Sequence, residues 1–188
     1  MNPIPEQNGE RRVESEERGI LSSDLCPPSS ALRPLPVPLS PLLFALEAAC
    51  ASWSGTPFCE NSAVKGAGVC CHLAVGEAYR EAGLLPPDLR FPLGPAGWSR
   101  TQGRSLMEEW LDQGEGRHWF AAREPGVLRR PGDLLGFRVG HCVHHLAIQL
   151  DAGRLFHAVD RVGASIAPNL PPAWAKRLAR VWRPNLLL

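Results

Sequence analysis

The sequence predicts an α+β domain, with helices in its first part and an antiparallel sheet in its second. Three observations predict this. Apolar residues recur at helical spacing between Pro41 and Ala82. From Arg130 onward, short apolar runs alternate with turns rich in Gly, Pro and Asp. The chain has 188 residues, enough for one ordinary domain, and its 44% hydrophobic content supports a core. Helices followed by strands give α+β rather than an alternating α/β order.

Residues 1–40 mix charge with proline and serine, as in Pro27, Pro28, Pro34, Pro36 and Pro38. Such a segment buries too little apolar surface to offset its ordering entropy, and it is expected to be a disordered tail. The folded domain is expected over 41–188. Its first helix starts at Ser40-Pro41, with Ser40 as N-cap and Pro41 at the first helical position. Leu42, Leu43, Leu46 and Ala49 carry it to about Trp53, and Gly55-Thr56-Pro57 ends it. A polar loop, Glu60 to Gly68, leads to a second helix, Cys71 to Glu81. Gly83 and Pro86-Pro87 stop that helix.

Phe91 to Arg104 is rich in glycine and proline and reads as loop; Ser105 to Gln113 reads as a short amphipathic helix. Arg130-Pro131-Gly132-Asp133 is a turn. Strands are expected over Leu134–Val139, His145–Leu150, Arg154–Asp160, Val162–Ile166 and Arg180–Arg183. Lys176, Arg177, Arg180 and Arg183 are expected on a solvated helix face.

A net charge of +1 gives no electrostatic case for nucleic acid. No run approaches the roughly 18 apolar residues of a membrane span. The polar start, Met1 to Arg12, lacks the apolar core of a signal peptide, so cytoplasmic synthesis is expected. On that basis the six cysteines are expected to be reduced thiols rather than disulfides.

The chemistry-bearing residues gather in three places: Gly68-Val69-Cys70-Cys71-His72, His144-His145, and His157. A cysteine in an apolar helix is a small buried hydrophobe. A cysteine at a helix start, approached through Gly66 and Gly68, is also placed as a nucleophile, with its pKa expected to be lowered by the helix N-terminus. His145 reads as a surface group at a strand edge or as the base for that thiol. Successive strand residues project to opposite faces, so only one ring of the His144-His145 pair is expected to face Cys71. A zinc site from Cys70, Cys71 and His72 with His141, Cys142, His144 or His145 is a third reading. Adjacent cysteines, however, lack the usual zinc-ligand spacing.

His157 shares a sheet face with His145 only in one hairpin register. A two-residue turn at Ala152-Gly153 separates them. A three-residue loop, Asp151-Ala152-Gly153, pairs Ala147 with His157 and puts both histidines on one face, with Gly153 left-handed. The three-residue register is the one expected.

Together these segments resemble the NlpC-type cysteine peptidases, papain-like cell-wall hydrolases, closest to their phage-tail and gene-transfer-agent branch. The elements that carry the resemblance are Trp53-Ser54-Gly55-Thr56-Pro57-Phe58, Gly68-Val69-Cys70-Cys71-His72-Leu73 with Tyr79-Arg80-Glu81-Ala82-Gly83, Pro131-Gly132-Asp133-Leu134, His145-Leu146-Ala147-Ile148, and Arg154-Leu155-Phe156-His157-Ala158. Order and spacing agree from about Leu42 to Pro184. Three positions depart from the pattern: Cys70 stands for an aspartate, His72 for a small residue, and Phe58 for a tyrosine.

The resemblance implies a papain-like fold with N-terminal helices on a small antiparallel sheet. It implies thiol endopeptidase or amidase action on peptidoglycan stem peptides, near a γ-D-glutamyl–diamino-acid bond, with no cofactor and no metal. Cys71 would be the nucleophile, His145 the base, and His157 its orienter. Main-chain N–H groups at the helix start would meet the oxyanion. Phe58, His72 and His144 would contact substrate. Partners would be the peptidoglycan peptide and phage-tail-like structural proteins, in a virion or phage-tail setting. A catalytically weak or inactive tail-assembly or binding protein on the same fold is the alternative.

Overall fold

The computed structural model describes residues 41–95 and 103–188, which lie within one compact unit, Pro38–Leu188. The expected tail, Ser40 as a cap, and part of the loop before Ser105 lie outside the described residues.

Helix α1 spans Pro41–Trp53, with Pro41 at its start as the sequence indicates. It buries Leu46, Ala49, Cys50 and Trp53, the i, i+3, i+4, i+7 stripe of an amphipathic helix. Helix α2 spans Cys71–Glu81 and packs between α1 and the sheet, so eight of its eleven residues are buried. It ends in a Schellman arrangement: Gly83 (φ 73°) donates to the Arg80 carbonyl at 3.0 Å, and Leu84 to that of Tyr79 at 2.9 Å. The expected short helix is α3, Leu106–Asp112. The Ser105 hydroxyl caps it by accepting from Glu108 N–H at 3.1 Å and donates to the Val143 carbonyl at 2.5 Å.

The polar loop before Cys71 contains a two-stranded ladder, β1 (Ala63–Val64) with β2 (Gly68–Val69). The main sheet has six strands: β3 (Phe120–Arg123), β4 (Leu134–Val139), β5 (Cys142–Gln149), β6 (Leu155–Val159), β7 (Gly163–Ala167) and β8 (Leu178–Pro184). Their spatial order is β3-β8-β4-β5-β6-β7, antiparallel throughout. The expected class, helices packed on an antiparallel sheet, is the observed one. β3 is an edge strand the sequence did not signal, because Phe120-Ala121-Ala122-Arg123 has neither alternation nor β-branched residues.

One sheet face, with Leu134, Leu146, Ile148, Phe156 and Trp182, packs on α1 and α2. The other carries Leu135, Phe137, Ala147, Leu155 and Val181, covered by Leu178 and by Trp174 of a one-turn helix, α4 (Pro172–Ala175).

The four basic residues near the end do not form a solvated helix face. Arg180 and Arg183 belong to β8. Arg180 pairs with Glu108 at 2.7 Å. Arg183 is buried and makes a forked pair with buried Asp133 at 2.7 and 2.9 Å. This pair fixes the Pro131-Gly132-Asp133 turn, where Tyr79 Oη also donates to the Gly132 carbonyl at 3.0 Å.

Candidate active site

The segment after α1 is stitched to two elements. Gly55 N–H donates to the Ala164 carbonyl and Ala164 N–H to the Thr56 carbonyl, both at 2.8 Å. Gly163 has φ 85°, and a Cβ there would sit 2.4 Å from the Thr56 oxygen, so a side chain would push this segment off β7. Val69 N–H donates to the Pro57 carbonyl at 2.9 Å, and Cys59 N–H to that of Val69 at 3.1 Å. Phe58 is thereby held beside the strand that leads into Cys71.

Cys70 is the N-cap residue of α2, and its side chain makes no capping hydrogen bond. Its sulfur lies 3.6 and 3.7 Å from the two ring nitrogens of His72. His72 is buried, and burial first, then His144, pulls its pKa down to about 4. The ring of His72, expected to contact substrate, is turned to Cys70 and is not among the walls of the cavity that Cys71, His144, His145 and Phe58 line.

Cys71, His144, His145 and Phe58 line one cavity of about 390 Å³. Cys59, Glu60, Val139, Asp160 and Trp174 also contribute to its walls. The Cys71 thiol donates to the His144 main-chain carbonyl at 3.6 Å. His145 Nε2 lies 3.2 Å from His157 Nδ1, with the rings edge to face. The register is the expected one: Ala147 pairs with His157, and Leu150 N–H donates to the Arg154 carbonyl at 2.8 Å. Gly153 is left-handed (φ 81°), and so is Ala152 (φ 48°), which the sequence did not indicate.

Two expectations are corrected here. The first is that only one of His144 and His145 faces the site. Both line the cavity, because the β4–β5 ladder slips between Phe137 and Arg138: Phe137 pairs with His145, but Arg138 pairs with Val143. His144 is the extra residue of this bulge, and a bulge re-aims a side chain that strict alternation would send away.

The second is the thiol's acidity. Cys71 is 5% exposed, and burial, followed by the nearby Cys70 sulfur, pushes its pKa up to about 12. Main-chain N–H groups of Leu146, His72 and Cys71 itself oppose this, but desolvation of the thiolate is the larger effect. Burial, then His157 and His144, pulls His145 down to about 3, and burial lowers His157 as well. These shifts favour the neutral forms of the Cys71 thiol and of the His145 and His157 imidazoles at neutral pH.

Trp174 is the residue that sequence reasoning missed most clearly. Its ring centroid lies 4.6 Å from that of His145, closing one side of the imidazole. The available signal was a lone tryptophan just after Pro171-Pro172, in a stretch assigned to no element. Among the described residues, no group of three or more His, Cys, Asp or Glu side chains is gathered to hold a metal. The five described cysteines are free thiols.

No family model matches the chain, and no curated protein matches it. Among solved structures it is similar to an NLP/P60-family protein described as similar to lipoprotein, from Staphylococcus aureus, at 19% identity and TM-score 0.49. That likeness covers 76% of this chain and 41% of the other. It is similar to an NlpC/P60-family protein from Bacillus cereus at 19% identity and TM-score 0.48, over 74% of this chain and 39% of that one. The chain thus spans about two fifths of the length of these two proteins. It is also similar to RipD of Mycobacterium tuberculosis, described as a non-catalytic NlpC/p60 domain protein adapted to peptidoglycan binding. The identity there is 14% and the TM-score 0.49, over 78% of this chain and 99% of the other.

Proposed function

We propose that this chain is a thiol hydrolase that cleaves an amide bond of peptidoglycan stem peptides, on the NlpC-type plan. One observation carries the reading: a cysteine at a helix start lines a single cavity with an imidazole that is itself held by a second imidazole at 3.2 Å. A thiol, a base and an orienter are the parts that thiol acyl transfer needs.

In the proposed reaction His145 Nε2–H donates to His157 Nδ1. This fixes the tautomer and leaves His145 Nδ1 as the base. Cys71 gives its proton to that nitrogen as sulfur attacks the carbonyl carbon. Because the resting pair is neutral, proton transfer accompanies the attack rather than preceding it. Main-chain N–H groups at the start of α2 meet the oxyanion. The imidazolium then protonates the leaving amine, and water releases the acyl group from sulfur by the same base. Phe58 and His144 contact the peptide, which is cut at the γ-D-glutamyl–diamino-acid bond. The setting is a phage-tail-like particle whose parts are made in the cytoplasm; the resemblance of the five motifs to that branch supports it.

A second reading, a peptidoglycan-binding or tail-assembly protein with a silent site, is favoured by one observation. The thiol is buried and held far from ionisation. The two readings separate on incubating wild type and Cys71→Ala with purified peptidoglycan fragments and analysing products by mass spectrometry. The hydrolase gives new peptide ends with wild type only. Intact fragments with both proteins select the silent site.

A further inference from the structure

Beside the Cys71 cavity lies a second, open concavity of about 570 Å³, lined by Arg138, Gly140, Lys176, Arg177, Leu178 and Ala179. Its lining holds three cationic side chains and no carboxylate. The neighbouring basic residues of the same chain end, Arg180 and Arg183, both have acidic partners. Among the described residues no ion pair engages Arg138, Lys176 or Arg177. All three are exposed. Arg138 lies on β4, Lys176 and Arg177 in the link between α4 and β8, and the two segments are joined by a main-chain bond, Arg138 N–H to the Arg177 carbonyl at 2.8 Å. An oxyanion placed in this concavity would meet cationic hydrogen-bond donors and no carboxylate.

The concavity is tied to the candidate active site through Trp174. The Arg177 guanidinium lies 5.7 Å from the centre of the Trp174 ring. The same ring packs on His145 and lines the Cys71 cavity. Arg138 is followed directly by Val139, another wall of that cavity. The two concavities are thus separated by the Trp174 side chain and by adjacent residues of β4.

We propose that Arg138, Lys176 and Arg177 form a carboxylate subsite that holds a free carboxyl group of the peptide whose backbone occupies the Cys71 cavity. This rests on the peptidase-type reading only for what fills that cavity. Stem peptides built on γ-linked D-glutamate and a diamino diacid carry such carboxylates beside the amide bonds, and a guanidinium holds a carboxylate by donating two parallel hydrogen bonds to it.

The test is equilibrium binding to the full chain carrying Cys71→Ala, so that cleavage does not intervene. The probes are L-alanyl-γ-D-glutamyl-diaminopimelate and the same tripeptide with its carboxyl groups converted to carboxamides. The expected result is at least about tenfold tighter binding of the acid form at low salt, weakening as salt rises. Adding Arg138→Gln and Lys176→Gln, both exposed and clear of the Trp174 ring, is expected to shrink that preference below about threefold, because two of three cations are gone. Equal affinity for the two probes, a preference that survives the double substitution, or no binding of either probe overturns the subsite. Hydrolysis by wild type is read separately. A carboxylate preference without hydrolysis sinks the peptidase and keeps the subsite, whereas hydrolysis without a preference does the reverse.

Discussion

At the scale of single residues, burial decides the chemistry of Cys71. A helix N-terminus stabilises a thiolate, but that stabilisation acts against removal from water, and here desolvation is larger. The consequence is a reactivity order opposite to the one the motif suggests. Cys59 is exposed on the rim of the same cavity. Limiting iodoacetamide at neutral pH is expected to label Cys59 well before Cys71, as peptide mapping would show. Fast labelling of Cys71 would mean that its thiol is neither buried nor neutral in solution.

Arg183 and Asp133 make the other residue-scale prediction. Their side chains are 6% and 1% exposed and share two hydrogen bonds. Arg183→Met leaves the carboxylate buried beside the Gly132 turn without its partner, which is expected to cost about 3–5 kcal/mol in urea denaturation. A loss below about 1 kcal/mol, the value of an exposed pair, would show that the pair is wet.

At the scale of elements, two helix starts are built differently. α3 begins with a serine that closes its first turn and also ties it to β5 through the Val143 carbonyl. Ser105→Ala removes both bonds in a buried place and is expected to lower stability by about 1–2 kcal/mol, measured as a shift of the urea midpoint with unchanged slope. α2 begins at Cys70 with no side-chain cap, and its start is held instead by packing against α1, β5 and the β1–β2 ladder. That difference explains how an uncapped start is tolerated where the candidate nucleophile sits. The bulge between β4 and β5 is the element-scale device that lets two adjacent histidines line one cavity.

At the scale of the whole molecule, buried neutral histidines couple the fold to pH. His72 is held at about 4 and His145 at about 3, against an ordinary value of 6.5. Between pH 6.5 and these values the unfolded chain binds protons that the folded chain refuses. Stability therefore rises with pH through that window and falls as acid is added. Melting temperature is expected to drop from pH 7 to pH 5, above the range where most carboxylates titrate. His72→Met is expected to flatten part of that slope by removing one titrating group. An unchanged slope in that variant would show that His72 takes up its proton in the folded state. Among the described residues no helix is long and apolar enough to cross a membrane.

Sequence alone determined α1, α2, α3 and the strands β4, β6 and β7 to within about two residues, since their apolar spacing and their stops at Gly55, Gly83 and Gly153 are local properties. It also determined the His145–His157 face, because a three-residue loop fixes hairpin parity. It could not determine β3, whose residues become a strand only by pairing with β8. Nor could it assign Arg183, whose partner Asp133 is fifty residues away and meets it only in the folded core. Trp174 on His145, the joint exposure of His144 and His145 to one cavity, and the burial that keeps Cys71 protonated were likewise decided by tertiary structure. A residue's period and its turn are written in its neighbours along the chain; its dielectric surroundings and its distant contacts are set by segments that meet only when the chain folds.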